Sequence, residues 1–137
     1  MSIKVKVYGD KLDLADELQE EFHQQAKDVA AEAADILLGE VKTLLKLRIG
    51  SLQTAAPEGQ PPEFDTGALE RSFKKIPPRV KGRVASSGVQ SNDPGANRLE
   101  YGATDSRGIR TLPHPYVRPA LANVEEKVTR LVESRLT

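Results

Sequence analysis

The chain has 137 residues, 20 basic and 20 acidic side chains, no Cys, no Trp and only 4% aromatic residues. That length suits one domain over residues 1–137; the core must come from Leu, Val, Ile and Ala, and the lack of Cys excludes disulfides, thiolate metal sites and a Cys nucleophile. No stretch approaches the ~20 apolar residues needed to span a bilayer, so we expect a soluble, cytoplasmically made protein with no membrane partner.

Charge is segregated along the chain. Residues 10–40 hold ten acids against Lys11 and Lys27, whereas Arg71, Lys74, Lys75, Arg79, Lys81 and Arg83 follow one another with no acid among them. Two readings are open: solvated faces that keep the protein soluble, or opposed patches that register neighbouring copies in an assembly.

Ile3, Val5 and Val7 alternate with Lys4, Lys6 and Tyr8, the period of a strand with one buried face. After a turn at Gly9-Asp10 the period changes. Leu14, Leu18, Phe22, Ala26, Val29, Ala33, Ile36, Val41 and Leu44 recur mostly every three or four residues, a helical stripe. Asp13 is its candidate N-cap, Asp16 and Glu17 suit its first turn, Lys46 and Arg48 its last, and Gly50 its stop. Continuous to Ile49, this helix has roughly 37 residues and a length of ~55 Å, so the C-terminal helix or another subunit must cover part of its stripe. Gly39 is the alternative break point.

Residues 50–64 are rich in Pro, Gly and small polar groups and read as a mobile loop. Asp65 or Thr66 then caps a short helix running to about Phe73. Two strand candidates follow, Phe73–Pro78 and Lys81–Val89, joined near Arg79-Val80, with Pro77 and Pro78 confining the first to an edge. Asp93-Pro94 opens a helix to about Tyr101 as N-cap and N1. Residues 102–112 read as a second mobile loop, and Pro119 sits at the start of a final helix whose Leu121, Val124, Val128 and Leu131 keep helical spacing. Together these elements make an α+β domain. In it a long N-terminal helix and a C-terminal helix pack on a small, mainly antiparallel sheet of three to four strands.

Little of this carries chemistry. Asp65-Thr66-Gly67 matches the triplet that supplies one carboxylate of an aspartic protease dyad, so a retroviral-type protease subunit using Asp65 is one alternative. That mechanism needs a rigid loop leaving a buried apolar strand, and the preceding Gln60-Pro61-Pro62-Glu63-Phe64 is polar and Pro-rich. His23 and His114 lack partners at metal-ligand spacing. The basic stretch 71–83 suits phosphates, which makes a non-specific nucleic-acid binder the second alternative; only Phe73 is there to stack on bases, and no reading motif is present. We expect no enzyme, no metal and no cofactor.

Three stretches in fixed order resemble a known family. They are Pro57-x-Gly59-x-Pro61-Pro62-x-x-Asp65-Thr66-Gly67-x-Leu69-x-x-Ser72, then Leu99-Glu100-Tyr101-Gly102-x-Thr104, then Pro113-x-Pro115-Tyr116-Val117-Arg118-Pro119-Ala120-Leu121. The set resembles the small tail-component proteins of long-tailed double-stranded DNA phages, the family named after gene product ten of a lambda-like coliphage. The match covers about residues 14–136 and departs at Gly95-Ala96-Asn97, where relatives tend to carry an aromatic residue and Ala. The resemblance implies a virion component of the neck or head-proximal tail end, in an active phage or a prophage. It would form a homo-oligomeric ring that meets a portal-side adaptor, a tail terminator or the tail tube, with packaged DNA passing through the lumen. It marks Asp65, Thr66, Gly67, Leu69, Glu100, Tyr101, Gly102, Pro113, Pro115, Tyr116, Arg118 and Pro119 as the assembly motif. Physically, Tyr116 is an amphipathic anchor, the prolines stiffen the approach to the last helix, and Arg118 suits a fixed pairing with a carboxylate, for which Glu100 is a candidate. Simple packing within the chain explains the same residues.

Overall fold

The computed structural model describes residues 1–8, 16–46, 67–81, 84–104 and 106–136. Strand β1 (Ser2–Tyr8) is followed by helix α1 (Asp16–Lys46), helix α2 (Ala68–Ser72), strands β2 (Lys74–Lys81) and β3 (Val84–Gln90), helix α3 (Gly95–Tyr101), strands β4 (Ala103–Thr104) and β5 (Arg110–Thr111), and helix α4 (Val117–Leu136). The architecture is α+β, with the long and C-terminal helices on an antiparallel three-stranded sheet ordered β1-β3-β2.

Helix α1 follows its apolar stripe. Ala26, Val29, Ala30, Ala33, Ala34, Leu37, Val41, Leu44 and Leu45 are all buried, against β3 on one side and α4 on the other. The cover that so long a helix needs comes, over this stretch, from within the chain. Gly39 does not break it: the residue sits mid-helix with open space where a side chain would begin. A solvent-facing Gly weakens a helix by about 1 kcal/mol relative to Ala, which packing on both flanks outweighs. The expected cap at Asp13, the last-turn Arg48, the stop at Gly50 and the loop at 50–64 lie outside the described residues.

The sheet follows its alternation. Ala85, Ser87 and Val89 of β3 are buried on the α1 side, where Ile3 and Val5 join the core. Ser87 Oγ donates to the Ile76 carbonyl at 2.8 Å, so its polar atom is satisfied. Two expectations are corrected here. Strand β2 continues through Arg79 and Val80 to Lys81, and a register shift between Ile76 and Arg79 absorbs Pro77 and Pro78; an edge strand tolerates the missing N–H groups there, so the strands are not joined at Arg79-Val80. The expected loop at 102–112 contains a hairpin, with Ala103 level with Thr111 and Thr104 with Arg110 and Gly108 at φ 81° in its turn. Strands of two residues are too short to show a period.

Gly88 is fixed by close approach. A Cβ at this position would stand 2.0 Å from the Ile3 carbonyl oxygen and 2.9 Å from the Lys4 Cα, both backbone atoms of the paired strand. Gly88→Ala therefore forces β1 away from β3. Overpacking of this kind costs at least about 2 kcal/mol, to be read as a lowered urea midpoint with unchanged slope; a midpoint equal to wild type would show that β1 moves freely.

Candidate functional site

The second and third motif segments meet at one carboxylate. Glu100 occupies the last turn of α3 and is fully buried. Its Oε2 accepts from the Tyr116 N–H at 2.7 Å and the Val117 N–H at 2.9 Å, and its Oε1 from the Arg118 N–H and Arg118 Nε, both at 3.0 Å. Arg118 Nη2 also donates to the Glu100 carbonyl at 2.9 Å. The backbone donors belong to the opening turn of α4, whose first N–H groups have no partner inside the helix. A carboxylate there meets orphan donors, the positive end of the helix dipole and a guanidinium together. Burial by itself pushes the Glu100 pKa up; the three backbone bonds and Arg118 outweigh it, and the carboxyl titrates below its ordinary range.

Tyr116 completes the junction. Its hydroxyl donates to the Ala96 carbonyl at 2.9 Å, and its ring meets Phe73 edge to face, centroids 5.8 Å apart and planes at 81°. Burial foremost, then the charge of Glu100, raises its phenol pKa well above 10. Just upstream, the His114 N–H donates to the Leu99 carbonyl at 2.6 Å. Arg118 keeps an exposed flank and lies 5.2 Å from the ring centre of Tyr101, which is 63% exposed. Gly102 ends α3 at φ 74°, while Pro113, Pro115 and Pro119 are half-buried.

The first motif segment reaches the same core through Phe73. Gly67, at φ 78°, is the N-cap of α2 and makes no side-chain cap bond, so the cap expected from Asp65 or Thr66 falls to a glycine; those two residues lie outside the described part. Leu69 packs on the core. Ser72 Oγ lies 2.6 Å from Ser91 Oγ, and Ser91 exchanges two 3.0 Å backbone bonds with Met1. The nearly buried Glu70 sits 3.7 Å from Lys42 and 3.2 Å from Lys46 of α1. Asp93 Oδ1 accepts the Gly95 N–H at 2.7 Å, but the N-cap of α3 is Pro94, one residue later than expected. The sequence reading missed Glu70, Phe73 and Ser91, since their partners lie on other elements.

Comparison with protein families, curated proteins and solved structures finds no match.

Among the described residues no cluster of His, Asp and Glu could hold a metal ion, and every buried polar side-chain atom has a partner. With four N–H groups on Glu100 its lone pairs are occupied, which makes it a structural anchor. Beside this junction, α1, α4 and β1 leave an apolar groove of about 450 Å³ walled by Val5, Leu37, Leu121, Val124 and Val128. Leu121 is 41% exposed at its rim.

Glu100→Ala strands these donors and the guanidinium, and should lower the unfolding free energy by about 3–5 kcal/mol. Glu100→Gln keeps the shape and one acceptor oxygen and should cost about 1–2 kcal/mol. Because the folded pKa lies below the ordinary 4.5, this carboxylate's stabilisation is present above about that pH and lost as pH falls through the folded value. Chemical denaturation between neutral and acid pH should show wild type losing its margin over Glu100→Gln; a constant margin contradicts the charged cradle.

Proposed function

We propose that this chain is a structural component of the neck or head-proximal tail end of a long-tailed phage or prophage particle, acting by ring assembly and protein contacts without catalysis. One observation carries the reading beyond the ordered motifs: the second and third of the segments that bear the resemblance meet at a single junction, which the residue following the first also joins. Phe73, directly after the first segment, packs on Tyr116 of the third, and Glu100 of the second grips the backbone of residues 116–118. Residues spread from 73 to 118 thus form one scaffold. Its polar groups bond one another, as suits a framework that holds outer surfaces in fixed relation.

The outer surfaces fit the same role. An apolar groove with an exposed Leu121 is the kind of surface that a partner covers. Tyr101, Ile109 and Leu112 are exposed as well, on and beside the β4–β5 hairpin. In this reading they meet neighbouring neck or tail proteins, the particle is assembled in a bacterial cytoplasm, and DNA passes through the ring lumen.

The test is assembly. Native mass spectrometry should find closed oligomers of the chain, alone or with the portal-side adaptor, tail terminator or tail-tube protein encoded beside it. Lysates lacking the chain should accumulate heads and tails that do not join. A strictly monomeric protein that binds neither tail tubes nor completed heads defeats the proposal.

A further inference from the structure

The sheet has two faces, and α1 covers one of them. On the other stand Lys4 and Lys6 of β1 and Lys74, Arg79 and Lys81 of β2. The register sets this: Lys4 is level with Gly88, Lys6 and Arg79 with Ser86, Lys74 with Gln90 and Lys81 with Val84, and these alternate with the buried Ala85, Ser87 and Val89. All five cations are exposed. The three strands contain no acid, and among the described residues none of the five is paired with a carboxylate. Lys75, on the α1 side, is instead neutralised by Asp35 at 3.0 Å. Lys6 and Arg79 flank Ser86 two strand spacings apart, about 10 Å, close to the Debye length at ordinary ionic strength. The cations therefore act as one field.

The opposite charge lies beyond the other face of the sheet, on α1. Glu21 and Asp28 of α1 are exposed and stand seven residues, or two turns, apart, on the side of the helix away from its buried stripe. From residue 21 to 28 the helix rises about 10 Å, and β2 from Lys74 to Lys81 extends about 23 Å, so the basic face is long enough to receive the acidic ridge. The layer of sheet and helix thus carries a basic outer surface and an acidic one, back to back.

We propose that copies of this chain associate head to tail, the basic sheet face of one receiving the acidic ridge of α1 of the next. Patches on opposite sides of a subunit cannot satisfy each other across a two-fold axis; they make a heterologous contact, which closes into a ring when the rotation per step allows it. The inference rests on the ring reading above and names its contact. A phosphate backbone also suits five cations, but a chain with net charge +0 and an acidic far side has little long-range pull on DNA.

Charge reversal separates the outcomes. Lys74→Glu, Arg79→Glu and Lys81→Glu together make both outer faces acidic; Glu21→Lys with Asp28→Lys makes both basic. All five positions are exposed, and circular dichroism confirms that each variant folds. In sedimentation velocity at low salt, wild type should assemble and should dissociate as salt rises, since exposed charges are screened. Each variant alone should sediment as a single chain, and an equimolar mixture of the two should regain wild-type size. Oligomers of the sheet-face variant equal to those of wild type overturn this contact while leaving the ring reading standing. So does a sheet-face variant that keeps its oligomers but loses binding to random duplex DNA. Wild type that stays monomeric at low salt also overturns it, and the ring reading is then judged on binding to tail tubes and heads.

Discussion

A carboxylate with no exposure to water organises this fold. Glu100 holds three consecutive backbone N–H groups at the start of α4 together with the Arg118 side chain, and an isolated charge in that position would be too costly to keep. Because those donors sit on residues 116–118, the carboxylate sets where α4 begins and how it leaves α3. The direction of α4 then decides which side of α1 is covered, so that Val124 lies in the core with Leu37 and Val41. Tyr116 is carried to the ring of Phe73 by the same constraint. With three Phe, three Tyr and no Trp in the chain, that pair supplies much of the bulk where the helices and the sheet come together.

The remainder of the core works by closeness. Ala26, Ala30, Ala33 and Ala34 put small side chains where α1 meets its neighbours, which lets backbones approach and raises contact density without aromatic volume. Gly88 does the same between β1 and β3. Polar ties then hold the periphery: Glu70 between two lysines of α1, and Ser91 between Ser72 and Met1. Each joins elements far apart in sequence, and each leaves its buried polar atoms satisfied.

What the sequence made legible follows from the range of the forces involved. Period-two and period-3.6 patterns identify β1, α1 and α4 because they report a buried face directly. The helix start near Asp93-Pro94 and the edge placement of the Pro77-Pro78 strand are local, and they were readable for that reason. Arg118 and Glu100 could be paired from charge and from rigid flanking prolines. The cradle of backbone donors around Glu100 could not, because main-chain N–H groups leave no trace in residue type. The cap of α2 went to Gly67 by backbone conformation, which a search for side-chain oxygens overlooks. The expected junction at Arg79-Val80 lies inside β2 because prolines on an edge strand distort the register without ending the strand.

The same bonds decide what the junction is able to do. A general acid or base needs a pKa near the working pH and a lone pair or proton open to a reactant. Glu100 has neither: its pKa is driven away from neutrality, and its oxygens are taken up by four donors. The motif that looked most like a signature in the sequence is therefore turned inward, as a clasp. Capacity for interaction is left to what the clasp holds in place: the groove between α1 and α4, the exposed Tyr101 under Arg118, and the two charged faces. A rigid interior with its distinctive chemistry on opposed outer surfaces is suited to transmitting position from one neighbour to the next. In that arrangement the clasp acts at a distance, since any slack in α4 at residues 116–118 would shift the helix that walls the groove.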